Sequence, residues 1–102
     1  ISLIEDGTLV VSLATQDMLF DKMMSNVKEV KARGAVVLGL TTEKHKEIEK
    51  TADYVFYIPS TEDILLPSLA VVPVQLFAYY VASMKGCDID KPRNLAKSVT
   101  VE

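Results

Sequence analysis

Apolar residues recur along the chain in five stretches, and their spacing changes from one stretch to the next. Thr8-Leu9-Val10-Val11-Ser12-Leu13-Ala14 is a short β-branched and apolar run set off by Asp6-Gly7, the pattern of a buried strand. From about Gln16 to Arg33 the apolar positions Leu19, Met23, Val27 and Val30 return at helical spacing, and Asp21, Lys22, Lys28, Glu29 and Lys31 fall largely off that stripe. This predicts an amphipathic helix. Thr15 is placed to cap it, Asp17 to sit in its first turn where the helix dipole favours an anion, and Gly34 to stop it.

Ala35-Val36-Val37-Leu38-Gly39-Leu40-Thr41 repeats the buried-strand pattern. Thr41-Thr42-Glu43 then opens a short polar helix to about Lys50, with Thr as its cap. Thr51-Ala52-Asp53 leads into a third strand, Tyr54-Val55-Phe56-Tyr57-Ile58, closed by Pro59. After the polar loop Ser60-Thr61-Glu62-Asp63 comes a long apolar helix. Pro67 suits its first turn, Pro73 is expected to kink or split it, and Lys85-Gly86 ends it. Strands that are apolar throughout and alternate with helices imply a parallel sheet covered on both faces. The expected class is α/β, a three-layer, doubly wound parallel sheet with about three strands and three helices.

Ile64 to Met84 contains no Asp, Glu, Lys or Arg. The run matches the ~20 residues needed to span a bilayer. Pro67, Ser68, Pro73, Gln75, Ser83 and two tyrosines interrupt it, and the remainder of the chain reads as a soluble α/β domain. We therefore expect a helix buried on most sides, or at a subunit interface, and no membrane partner.

The 102 residues are 49% hydrophobic and 25% charged, the balance of one folded domain. A net charge of −3 opposes a nucleic-acid partner, because phosphate binding needs a basic face. The single Cys87 has no partner for an internal disulfide or a cysteine metal cluster, which suits a reducing cytoplasm. No signal peptide is legible. The abrupt apolar start without an initiator Met, and the small number of strands, lead us to expect a piece of a longer chain.

Candidate chemistry is sparse. The glycines Gly7, Gly34, Gly39 and Gly86 form no phosphate-cradling motif. The turn Leu13-Ala14-Thr15-Gln16 follows a strand and opens a helix, where ligands approach in such folds, although a helix cap explains Thr15 as well. His45 lies among Lys44, Lys46, Glu47 and Glu49 and reads as solvated, with no second His or Cys to make a metal site. No cofactor is expected. Lys97 stands in a tail of alternating apolar and polar residues. Taken alone it is a solvated lysine. An amine becomes a nucleophile only when desolvation or a neighbouring cation keeps it neutral.

That tail, Pro92-Arg93-Asn94-Leu95-Ala96-Lys97-Ser98-Val99-Thr100-Val101-Glu102, resembles the C-terminal signature of the glutamine–fructose-6-phosphate aminotransferase (isomerizing) family, the glucosamine-6-phosphate synthases. Val72-Pro73-Val74-Gln75-Leu76-Phe77-Ala78-Tyr79-Tyr80, the loop Lys85-Gly86-Cys87-Asp88-Ile89-Asp90, and Ser25-Asn26…Glu29…Arg33-Gly34 also resemble it, and fit sugar-isomerase (SIS) domains more broadly.

The resemblance implies that residues 1–86 form the later part of the family's second SIS domain and residues 87–102 its catalytic tail. It further implies that Lys97 forms a Schiff base with the open-chain sugar ketone. Ala96 and Val99 would line the sugar site, and Leu95 and Ala96 would meet the ammonia channel between domains. Fructose 6-phosphate and glucosamine 6-phosphate are the implied ligands. The first SIS domain and a glutaminase domain of the same enzyme are the implied partners, in a cytoplasmic homodimer. The phosphate loops, the catalytic Glu and the ring-opening His would lie upstream, and Cys87 does not correspond to the glutaminase nucleophile. The chain alone is expected to be inactive. Two alternatives stay open at this point: a non-catalytic SIS module that senses a phosphosugar, and a plain phosphosugar isomerase.

Overall fold

A computed structural model describes residues 1–91. Three parallel strands form one sheet in the order β1-β2-β3: β1 is Leu9–Ala14, β2 Val36–Thr42 and β3 Tyr54–Ile58. Val10 pairs with Val37, Ser12 with Gly39 and Ala14 with Thr41, and on the other side of β2 Gly39 pairs with Val55 and Thr42 with Ile58. Helix α1, Phe20–Ala32, joins β1 to β2, and helix α2, Leu66–Met84, follows β3. The doubly wound parallel α/β class read from the sequence is the observed one.

Since side chains alternate across a strand, the register sorts the sheet into two faces. One face presents Val10, Ser12 and Ala14 from β1, then Val37, Gly39 and Thr41 from β2. Helix α1 packs there. Val27 and Val30 cluster with Ala35 and Val37, and Phe20 and Met24 cluster with Ala14 and Ile48. Gly39 is required by this packing: a Cβ at that position would lie 2.6 Å from Ile48 Cδ1, and Ile48 is completely buried. Gly34 closes α1 with φ +86°, the left-handed conformation glycine adopts without strain, and its backbone N–H bonds the Lys31 carbonyl at 2.9 Å.

Several local expectations are corrected. The buried stripe of α1 is Phe20, Met24, Val27 and Val30, and Leu19 is exposed because it closes a 3-10 turn, Asp17–Leu19, ahead of the helix. Thr15 does not cap that turn; Gln16 occupies the position and makes no side-chain cap bond. Thr41 and Thr42 belong to β2. The polar helix is a 3-10 turn, Lys46–Lys50, entered from His45. Pro73 sits inside α2 without splitting it.

The second face presents Leu9, Val11 and Leu13, then Leu38, Leu40 and Thr42, then Tyr54, Phe56 and Ile58. Only its carboxyl end is closed, where Leu40 and Ile58 cluster with Leu66 and Ala70 of the first turns of α2. Leu9, Val11 and Leu13 remain 49%, 40% and 48% exposed. The expectation of strands covered on both faces thus holds for one face only among the described residues.

Val71 onward forms a second unit. Its helical part carries exposed Val72, Leu76, Phe77, Tyr79 and Tyr80. Among the described residues only Leu66 and Ala70 of α2 are buried, so burial on most sides is not observed there; the other expected setting is a subunit interface. By length and composition, the helical stretch Asp63–Met84 is long and apolar enough to cross a membrane.

Candidate functional site

Parallel α/β sheets bind ligands beyond the carboxyl ends of their strands. In this chain that edge is built by the turns after β1 and β2. A cavity of about 270 Å³ opens there, lined by Leu13, Ala14, Thr15, Gln16, Leu19 and Met23. Thr15, half-buried, is among the residues that line it and does not cap the following turn. Thr41 is fully buried, and its hydroxyl donates to the Ala14 carbonyl at 2.7 Å, fixing the end of β1 against β2.

His45 departs from its expected solvated state. Its ring stacks on Phe20, centroids 3.9 Å apart and 11° from parallel, and its Nε2 lies 2.8 Å from Asp17 Oδ1. A carboxylate only accepts, so Nε2 carries the proton of this bond. Lys44 Nζ lies 3.4 Å from the other Asp17 oxygen. The hydrogen bond from His45, with the Lys44 charge beside it, holds the Asp17 carboxyl below the usual carboxylate range. Nothing near His45 in sequence signals this pairing. The parallel register does, because Asp17 and His45 follow the paired residues Ala14 and Thr41 by three and four positions.

The opposite, amino edge has a different anchor. Asp53 accepts from Lys31 Nζ at 2.8 Å on each oxygen and from the Val37 backbone N–H at 2.7 Å, which also lowers its pKa. A second hollow, about 420 Å³, lies between α1 and the Lys46–Lys50 turn. Asp21, Lys28, Glu47 and Lys50 line it, so its charges oppose one another and favour neither sign of ligand. Among the described residues no group of three His, Cys, Asp or Glu could hold a metal ion. Leu95, Ala96, Lys97 and Val99, on which the family resemblance rests its site, lie outside the described residues.

A three-stranded parallel sheet, with α1 on one face, the first turns of α2 at the carboxyl end of the other and a crevice at its strand ends, defines a parallel α/β module. The SIS domain family model matches residues 1–85, and the chain belongs to that family. The relatives make the assignment more particular. The glutamine–fructose-6-phosphate aminotransferase (isomerizing) of Clostridium acetobutylicum is 60% identical over all 102 residues, that of Clostridium tetani 57% and that of Thermus thermophilus 49%. The chain spans 17% of the length of these curated relatives and matches their C-terminal SIS region. Among solved structures, the C-terminal domain of glucosamine-fructose-6-phosphate aminotransferase from Francisella tularensis superposes with a TM-score of 0.77 at 31% identity, covering 85% of this chain and 25% of that one.

Proposed function

We propose that this chain is the C-terminal portion of an isomerizing glutamine–fructose-6-phosphate aminotransferase, which makes glucosamine 6-phosphate and glutamate from fructose 6-phosphate and glutamine. The observation that carries the reading is the unbroken match to the Clostridium acetobutylicum enzyme, 60% identical from the first residue through the tail. In this reading residues 1–86 are the later part of a SIS domain and residues 87–102 the tail that reaches the substrate. The parent works in the cytoplasm as a homodimer.

The chemistry assigned to Lys97 is carbonyl capture. Its neutral amine adds to the C2 ketone of the opened sugar, the carbinolamine loses water, and a protonated imine results. Ammonia then adds to this C2 imine and expels the Lys97 amine, so that C2 carries ammonia's nitrogen as an imine; a proton then moves from C1 to C2, giving the 2-amino sugar aldehyde and returning free Lys97. Ala96 and Val99 are small enough to let the sugar lie against the tail, and Leu95 with Ala96 faces the route by which ammonia arrives. The acid, base and phosphate-binding groups belong to the rest of the enzyme, so the 102 residues alone turn over no substrate.

Borohydride reduction of the parent enzyme in the presence of fructose 6-phosphate tests the assignment. Mass spectrometry is expected to find the reduced hexose phosphate on Lys97, and Lys97→Arg to remove the adduct. An adduct on another lysine, or none, would overturn the role of Lys97.

A further inference from the structure

We propose that Asp17, His45 and Phe20 form a clasp that positions the turn after β1, and with it the Thr15–Gln16 wall of the crevice at the carboxyl edge of the sheet. The turn needs such a device. Neither the Asp17–Leu19 turn nor α1 has a side-chain cap at its amino end, the usual means of fixing a strand-to-helix junction. Each of the two strand-end turns closes with its own backbone bond, Leu19 N–H to the Gln16 carbonyl at 3.1 Å and His45 N–H to the Thr42 carbonyl at 3.0 Å. The clasp then ties one turn to the other across 28 positions of sequence.

Two unlike interactions converge on the imidazole. Its edge donates to Asp17, and its face lies flat on Phe20, the first residue of α1 and a member of the buried core. The side chain is only 16% exposed, although Glu43, Lys44, Lys46 and Glu47 around it are all exposed. A ring held on one side by the core and at its edge by a carboxylate has little freedom left. Since the carboxylate can only accept, His45 donates to it whether the imidazole is neutral or charged. The remaining charge at the clasp is Lys44, which pairs with the second Asp17 oxygen; α1 offers the Phe20 ring and no charge. The bond therefore persists across neutral pH, weakens when the Asp17 carboxylate is protonated and is lost when it is removed.

Amide hydrogen exchange on the 102-residue chain tests the clasp. In Asp17→Ala and in His45→Ala, the Leu19 and His45 amides are expected to exchange about tenfold faster. The Asp53 amide, bonded to the Val37 carbonyl at the other edge, is expected to hold its rate. His45→Gln, which can still donate to Asp17 but cannot stack, is expected to recover part of the protection. Unchanged exchange at Leu19 and His45 in both alanine variants would overturn the proposal. So would a uniform increase that includes Asp53, because it would report general loosening of the sheet.

Discussion

The two faces of the sheet are made from the same three strands and have very different fates. The face under α1 uses small and medium residues, Val10, Ser12, Ala14, Val37, Gly39 and Thr41, and buries them against Val27, Val30, Phe20 and Ile48. The opposite face uses mostly larger ones, Leu9, Leu13, Leu38, Tyr54 and Phe56 beside Val11, and leaves these half-buried or exposed, burying Leu40, Thr42 and Ile58 only at its carboxyl end. Burial is worth about 25 cal/mol per Å² of apolar surface. The larger residues would stabilise the domain more than the smaller ones if they were covered. Side-chain size therefore does not decide which face is closed; the presence of a helix seated in register does. The open face has the composition of an interface, well beyond the scattered apolar residues of an ordinary surface.

The largest expected effects come from disturbing the packing of the closed face. Gly39→Val places branched atoms where Ile48 Cδ1 already lies, and the completely buried Ile48 must shift within the core to make room. We expect a loss of about 3 kcal/mol from overpacking. The converse change, Ile48→Ala, is expected to cost about 4 kcal/mol through the cavity it leaves. Thermal or denaturant unfolding measures both. If Gly39→Val were neutral, the closed face would be more plastic than its packing implies.

The open face predicts the reverse pattern. Val11→Lys with Phe56→Lys is expected to change unfolding stability by less than about 0.5 kcal/mol, since both residues sit on the open face, 40% and 48% exposed. The same pair is expected to alter association strongly. The unsubstituted chain should self-associate as its concentration rises, through this face and the exposed residues of α2, and the double variant should shift towards monomer. Light scattering across a concentration series reads the difference. A chain that stays monomeric before substitution would break the contrast between the faces.

How much of this was legible beforehand depends on the range of the interaction. The three strands were, because a continuous β-branched run needs no distant partner to be recognised. Helix α1 was found with its stripe displaced: Leu19 fits the helical spacing as well as Phe20 does, and only the 3-10 turn before the helix decides between them. Thr15 and the Thr41–Thr42 pair look like caps in the sequence, but β2 runs on through Thr42: Thr41 spends its hydroxyl on the Ala14 carbonyl of the neighbouring strand, and the Thr42 hydroxyl is buried without a partner among the described residues. His45 looks solvated from its sequence neighbours because its partners, Asp17 and Phe20, are distant in sequence and near only through the parallel register. The half-open sheet was illegible for a further reason. An apolar run states that a strand is built to be buried and says nothing about which polypeptide segment buries it.

The closed face is also fastened at its margins by ionisable groups, which gives it an acid dependence. Asp53, bonded to Lys31 and to the Val37 N–H, and Asp17, bonded to His45, both hold their carboxyls below the ordinary value of 3.8. Between the folded and unfolded values the unfolded chain binds more protons, so stability is present above about pH 4 and falls as pH drops further. Asp53→Asn is expected to lower the melting temperature modestly at neutral pH and to flatten the acid limb below pH 4. Melting curves over that range measure it. An unaltered acid limb in Asp53→Asn and Asp17→Asn together would remove both carboxylates from the fastening of the closed face.

The smallest expected effect lies at the other end of the pH scale. Tyr57, on β3 at the margin of the closed face, donates its hydroxyl to Glu49 of the Lys46–Lys50 turn. That bond, reinforced by the negative charge it faces, pushes the phenol from 10.0 up to about 12. The unfolded chain loses this proton first. The contribution is therefore complete below pH 10 and is lost as pH rises towards 12, the opposite direction to the carboxylates. Phenolate absorbance is expected to show one tyrosine titrating near pH 12 in the folded chain, absent in Tyr57→Phe. The variant should lose a little stability at neutral pH and no longer show this part of the alkaline decline. If that late titration persisted in Tyr57→Phe, the Tyr57–Glu49 bond would not be its origin, and the closed face would have one fastening fewer than the structure gives it.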